Sequence, residues 1–238
     1  MPLAGQHVVV LGGTSGIGFA VASAVADQGA KVTVVSSRRV NVERALAALP
    51  TGSTGLVADL TDDGRVRDLF GEFGALDHLV YTAGEELLSS PLADLDVAAA
   101  RKFFELRYFS ILTAVQAAAS RLRPDGSITL TTGTAGPRPV PGSIVPSSLC
   151  GAIEALTRAL AVELAPIRVN AVQPGVIRSP LWTFPDDIRD QFYRDTAANT
   201  PLRRIGEVDD IAQAYLFFLT QPHATGSVLT LDGGAVLS

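Results

Sequence analysis

Leu11-Gly12-Gly13-Thr14-Ser15-Gly16-Ile17-Gly18 is the stretch that decides the fold. It follows the apolar run His7-Val8-Val9-Val10-Leu11 and opens a helical pattern from Ile17 to Gln28. A strand, a glycine turn and a helix in that order make a phosphate cradle. Gly12 permits the sharp turn, Gly16 lets the backbone approach a pyrophosphate, and Gly18 lets the helix pack against the strand. Thr14, Ser15 and Ile17 complete the loop, and the free N–H groups at the helix start bind the anion. Nucleotide binding is the expectation.

Outward from that stretch, strand-like and helix-like segments alternate. Residues 7–11, 31–36, 54–58, 76–82, 126–132, 167–173 and 226–231 are short, rich in Val, Ile, Leu and Thr, and bounded by turn residues. Helical spacing covers 16–28, 41–49, 62–73, 97–121, 144–165 and 207–219, as Val21, Ala22, Val25 and Ala26 illustrate. Near-continuous apolar strands require a sheet covered on both faces. The expected class is α/β: a Rossmann-type, doubly wound parallel sheet of about seven strands in a single domain over 1–238, with ligands beyond the carboxyl ends of the strands. Residues 176–200 show little periodicity and hold Trp182, Phe184, Phe192 and Tyr193. They read either as a lid over the site or as a packed surface excursion.

Composition narrows the function classes. The apolar fraction of 47% supplies a substantial core. A net charge of −5, with Lys and Arg scattered, argues against a nucleic-acid surface. No uninterrupted apolar run approaches the roughly 18 residues that span a bilayer, and no signal peptide is visible, so no membrane partner and a cytoplasmic location are expected. The single cysteine, Cys150, excludes an intrachain disulfide and a cysteine metal cluster, and His7, His78 and His223 lack metal-ligand spacing. No metal is expected.

Several motifs in order resemble the short-chain dehydrogenase/reductase family over nearly the whole chain. Gly12-x-x-x-Gly16-Ile17-Gly18 matches its glycine signature, with Leu11 where Thr is usual. Val57-Ala58-Asp59-Leu60-Thr61 is similar to the segment whose Asp approaches the adenine. Tyr81-Thr82-Ala83-Gly84 stands where the family has Asn-Asn-Ala-Gly. Arg158 to Ala165 and Ile167 to Val172 match its sixth helix and strand. Pro174-Gly175, Ile177 and Ser179 resemble the Pro-Gly…Thr stretch, and Gly206-Glu207, Gly226 and Leu231-Asp232-Gly233-Gly234 the C-terminal signature. The resemblance implies a nicotinamide cofactor, a small-molecule substrate and a homodimer or homotetramer built on the fourth and fifth helices. After the second strand, an acidic residue would bind the ribose of NAD(H). This chain has Ser36-Ser37-Arg38-Arg39, which suits the 2′-phosphate of NADP(H).

The family's proton chemistry uses a tyrosine, a lysine four residues later, a serine and an asparagine. Alignment through Gly151–Thr157 puts the tyrosine position at Pro146 and the lysine position at Cys150, and the family's spacing puts the serine position at Gly133. Alignment through Gln116–Ala118 puts the asparagine position at Arg107. No slip restores a Tyr-x-x-x-Lys pair: the only lysines are Lys31 and Lys102, and no tyrosine lies between Tyr108 and Tyr193. Candidate substitutes are Thr132, beside the serine position, and Glu85, whose carboxyl would donate a proton if desolvated. Cys150 is a reactive thiol or a small apolar filler. Arg107 stays protonated, a poor relay but a good anion clamp. Three functions remain open: an NADP(H)-dependent oxidoreductase on a small organic substrate with non-standard proton delivery, a non-redox cyclase or isomerase, and an inactive nucleotide sensor or partner protein.

Overall fold

The computed structural model of the protein describes residues 2–238. The main sheet uses β1 (His7–Leu11), β2 (Lys31–Ser36), β3 (Thr54–Val57), β4 (Leu76–Tyr81), β5 (Leu122–Thr131), β6 (Arg168–Pro174) and β9 (Val228–Leu231); Ile177–Arg178 (β7) and Gly206–Glu207 (β8) pair separately. The helices are α1 (Gly16–Asp27), α2 (Arg39–Ala48), α3 (Asp63–Gly71), α4 (Val97–Phe104), α5 (Ser110–Ala119), α6 (Ile144–Glu163), α7 (Asp186–Asn199) and α8 (Val208–Thr220). The seven strands lie in the order β3-β2-β1-β4-β5-β6-β9, all parallel. This is the doubly wound sheet expected from the sequence.

Strand periodicity explains the two layers. Side chains on β1 alternate: Val9 and Leu11 join one apolar core with residues of α3, α5 and α6, while Val8 and Val10 join a second with α1 and α8. Order reverses between β1 and β4. There the connections from the two strands run to opposite sides of the sheet, which makes the crevice at their carboxyl ends the place where ligands bind. Gly12 lies at its centre with φ +84°, and its N–H reaches Val35 O at 2.9 Å. Helix α6 contains an apolar stretch long enough by composition to cross a membrane, yet Val145, Leu149 and Ile153 bury it against the sheet.

Three segments differ from the sequence expectation. The helix expected over 97–121 is interrupted by a π turn at Glu105–Phe109, where the N–H of Ser110 reaches back five residues to Glu105 O. The fifth strand starts at Leu122, and its pairing with β4 shifts register between Leu76 and His78. The 176–200 segment contains the fourteen-residue helix α7.

At the opposite end of the strands a buried polar chain yields a stability prediction. His78 on β4 is 3% exposed; its Nδ1 meets Ser127 Oγ and its Nε2 meets Gln6 Oε1, both at 2.8 Å. Burial, reinforced by the Arg168 charge, lowers its pKa from 6.5 to about 4. The unfolded chain therefore takes up this proton at a higher pH than the folded one. The stabilisation is complete above pH 6.5 and is lost as pH falls toward 4, by about 3 kcal/mol at roughly 1.4 kcal/mol per pH unit. Urea midpoints at pH 7.5 and 4.5 check this: the acid loss in the wild type is expected to shrink by about that amount in His78→Asn.

Candidate functional site

The crevice is built first from α1. Its N-cap, Ser15, makes no side-chain capping bond, and no acidic residue lies in the first turn. Free N–H groups at a helix start, with the dipole behind them, favour an anion. Thr14 is buried at 6% exposure. A side chain on Gly12 would strike Ala83 N at 2.6 Å, and one on Gly18 would collide with Gly12 O and Thr82 Oγ1. The two glycines thus hold the loops after β1 and β4 in backbone contact, and Thr82 N donates to Leu11 O at 2.9 Å. Across the loop, Ser179 and Pro180 come within 3.8 Å of where a Gly16 Cβ would stand.

Two flanks extend the crevice. Ser37, Arg38 and Arg39 follow β2 and are exposed. The Asn41 amide, turned oxygen-first, accepts from Arg38 Nε and Nη2 at 3.1 Å, which steadies the guanidinium. After β3, Asp59 Oδ1 accepts from Thr61 N at 3.0 Å and from Thr61 Oγ1 at 2.8 Å, while Leu60 is buried. After β6, Gly175 N donates to Leu231 O at 3.0 Å, and a Cβ on Gly175 would meet Asp232 at 2.7 Å. Pro174-Gly175 is thereby pinned to the C-terminal signature. Ile177 is buried, and its carbonyl accepts from Trp182 Nε1 at 2.9 Å.

The remaining positions gather beyond β4, β5 and the start of α6. Arg107, inside the π turn, lays its guanidinium on Gly84: a Cβ there would lie 2.6 Å from Nη1. Nη2 donates to Glu85 O, Phe103 lies 4.8 Å beneath the cation, and Nε is buried with no partner among the described residues. Burial lowers the pKa of Arg107. Cys150 is 7% exposed; burial raises its thiol pKa, opposed by hydrogen bonding from Thr132 and the backbone of Gly136 and Gly133. The thiol is therefore held in its neutral form, not activated. A side chain at Gly133 would meet only Cys150 Sγ, at 3.4 Å. Thr132 Oγ1 donates to Cys150 O at 3.2 Å, and Pro146 is buried in the first turn of α6.

Arg107, Gly133, Cys150 and Thr132 thus lie together beyond the ends of β4 and β5. Glu85 is placed differently from the desolvated acid considered above. It is exposed, and the atom engaged is its carbonyl oxygen. Two of the buried tyrosines have their hydroxyls engaged by the protein. Tyr81 donates to Leu106 O at 2.6 Å and Tyr215 is bonded to Thr131 at 2.6 Å; burial raises both phenols above the ordinary value.

Sequence reasoning missed three connections. Glu86 Oε1 accepts from Thr183 Oγ1 at 2.5 Å, which joins the loop after β4 to the segment before α7. There Trp182 lies 4.8 Å from Phe192 and 6.2 Å from Phe184 between ring centroids. A polar chain also runs from Thr230 Oγ1 through the Gln173 amide to Glu154 Oε1, at 2.8 and 2.6 Å. No local spacing announces such contacts, which join residues up to 97 positions apart.

Comparisons with known proteins agree with this architecture. The family model described as enoyl-(acyl carrier protein) reductase matches residues 12–236. The short-chain dehydrogenase/reductase ATR9 of Stachybotrys chlorohalonatus is 36% identical, with 98% of each chain covered. Among solved structures, a small-chain dehydrogenase in complex with NADPH is 36% identical with a TM-score of 0.88, covering 98% of this chain and 100% of that one. The MalC reductase/Diels-Alderase of Malbranchea aurantiaca is 29% identical with a TM-score of 0.93, covering 100% and 98%. With its glycine cradle, its seven-stranded sheet and full-length relatives of this kind, the chain belongs to the short-chain dehydrogenase/reductase family.

Proposed function

We propose that the protein is an NADP(H)-dependent oxidoreductase that reduces a small conjugated carbonyl or quinone-type acceptor without the family's tyrosine acid. One observation carries this reading: the phosphate cradle is complete while Arg107, Gly133, Pro146 and Cys150 fill the proton-transfer positions. The uncapped start of α1 fits a pyrophosphate, and Ser37, Arg38 and Arg39 fit a 2′-phosphate. Asp59, Leu60, Ala83, Gly84, Pro174, Gly175, Ile177 and Ser179 line the rest of the cofactor path. Bound there, the reduced nicotinamide supplies hydride chemistry.

Proton delivery is the restriction. General acid assistance contributes about a hundred- to ten-thousand-fold to reactions that need it. An acceptor whose reduced form is an enolate or a phenolate needs it least, because a phenol has a pKa of about 10 and its anion is weakly basic. Arg107 stabilises that oxygen, while Thr132, its proton donated to Cys150 O, ties the end of β5 to α6 beside it. The 176–200 segment acts as the lid, tied to the site loop by Thr183 and Glu86. Val97 on α4, Phe109 in the π turn and Leu112 on α5, all exposed, fit a homodimer or homotetramer contact. A second reading, a cyclase using the same pocket, is favoured by the likeness to a structure named both reductase and Diels-Alderase. In that reaction Arg107 would polarise a carbonyl with no hydride transferred.

Fluorescence titration with NADPH and NADH tests the cofactor assignment. NADPH is expected to bind clearly tighter, and Arg38→Asp to weaken it about a hundredfold while leaving NADH little changed, since a bond to a charged group contributes about 1.5–3 kcal/mol. Equal affinity of the two cofactors would overturn the assignment. Oxidation of bound NADPH by menadione, against none by acetone, would support the acceptor class; the reverse order would exclude it.

A further inference from the structure

Tyr81 is a buried hydroxyl with no role in the reading above, and it sits beside the one irregular turn of the site. It closes β4 at 2% exposure and donates to Leu106 O at 2.6 Å. In an α-helix that carbonyl would accept from the N–H of Ser110, four residues on. Here the Ser110 N–H is directed to Glu105 O, which the Ser110 hydroxyl also approaches at 3.0 Å. The π register therefore leaves Leu106 O in need of a donor, and the phenol provides one. That carbonyl belongs to the peptide joining Leu106 to Arg107. Fixing it fixes the plane from which the Arg107 side chain departs toward Gly84.

We infer that Tyr81 is a positioning residue for Arg107: its hydroxyl holds the π turn that aims the guanidinium at the substrate oxygen. This rests on the reading of Arg107 as the oxyanion clamp. Tyr81 is itself held, because Thr131 Oγ1 donates to its carbonyl at 2.6 Å and is paired with the Tyr215 hydroxyl. Phe103, one turn back, supports the guanidinium from below. The phenol thus has one free function, its donor proton, spent on a backbone carbonyl that a regular helix would not expose.

The test compares Tyr81→Phe, Arg107→Ala and the double variant in the full-length protein saturated with NADPH. The probes are menadione reduction and, as a readout without turnover, 1-naphthol binding to the NADP⁺ complex followed by protein fluorescence. Tyr81→Phe is expected to lower kcat about tenfold and weaken 1-naphthol binding with NADPH affinity nearly unchanged, and to lower the melting temperature modestly, because Leu106 O is left without its donor. The double variant is expected to be no worse than Arg107→Ala, because residues acting through one another are not additive. A merely structural tyrosine would lower the melting temperature with kcat and 1-naphthol binding unchanged, or give losses additive with those of Arg107→Ala, and either result overturns the inference. Should Tyr81→Phe fail to fold, Ser110→Ala weakens the same π register and must show the same lack of additivity. If Arg107→Ala matters and Tyr81→Phe does not, only this inference falls. If the wild type neither reduces menadione nor binds 1-naphthol, the clamp reading falls and takes it along.

Discussion

Gly12→Ala is expected to abolish NADPH binding and to destabilise the protein by several kcal/mol. Two independent costs meet at this residue. Its φ of +84° places any L side chain in the left-handed region, which costs about 1–2 kcal/mol. The new Cβ would also lie 2.6 Å from Ala83 N and 2.7 Å from Ala83 Cα, both backbone atoms that no rotamer change can move. The loops after β1 and β4 must then separate, and they form the two lips of the crevice. Set against a domain stability of about 5–15 kcal/mol, the loss is large. Gly52→Ala is the control: its φ is +100°, but nothing lies within 4 Å of its Cβ position, so it carries the strain without the collision. Melting curves of both variants, with and without NADPH, separate the two contributions. Equal melting temperatures for the two would show that the collision is relieved and that the lips are not in obligatory contact.

Arg107→Ala is expected to give the largest loss of turnover, about a hundred- to a thousandfold in kcat on menadione, the range found when one donor to a developing oxyanion is removed. The guanidinium is half-buried, its Nε has no protein partner, and its support comes from Phe103 below and Glu85 O at one side. A group placed this way is stabilised further when an acceptor oxygen arrives, and most when that oxygen carries negative charge. KM is expected to change less than kcat, because the neutral acceptor engages the cation weakly. Arg107→Lys keeps the charge and loses the fork, so an intermediate rate is expected. Stopped-flow decay of NADPH fluorescence separates the chemical step from product release. An unchanged rate in Arg107→Ala would remove the clamp from the mechanism and leave the acid-free reduction without its stabilising charge.

The sequence made the sheet legible because each of its strands carries its own signal. Val8, Val9, Val10 and Leu11 are apolar on both faces, and both faces are covered. The cradle was legible for the same reason: its glycines have local causes. Helix α7 was not, since of its fourteen residues only Tyr193 is buried, and a polar helix shows no apolar stripe. The break in the helix over 97–121 was also invisible. A π turn uses ordinary residues, and Glu105-Leu106-Arg107-Tyr108-Phe109 contains neither Gly nor Pro to mark it. The positions of Arg107 and Cys150 could be aligned from sequence, but their approach to Gly84 and Gly133 depends on long-range packing. Whether a carboxylate such as Glu85 is buried is equally a property of the folded chain.

The π turn also acts as a phase shift. Each residue advances a helix by about 100°, so the extra residue in this turn rotates α5 by that angle relative to an unbroken continuation of α4. Ser110, Ile111 and Ala114 face the sheet because of that offset, and so does the buried Phe103 on the other side of it. A one-residue deletion between Phe104 and Ser110 would restore a regular helix and turn one of these two faces outward. The chain therefore tolerates substitution here far better than it tolerates a change in length. The number of residues from Phe103 to Ser110 is therefore a geometric requirement of the site, set by which faces of α4 and α5 are buried.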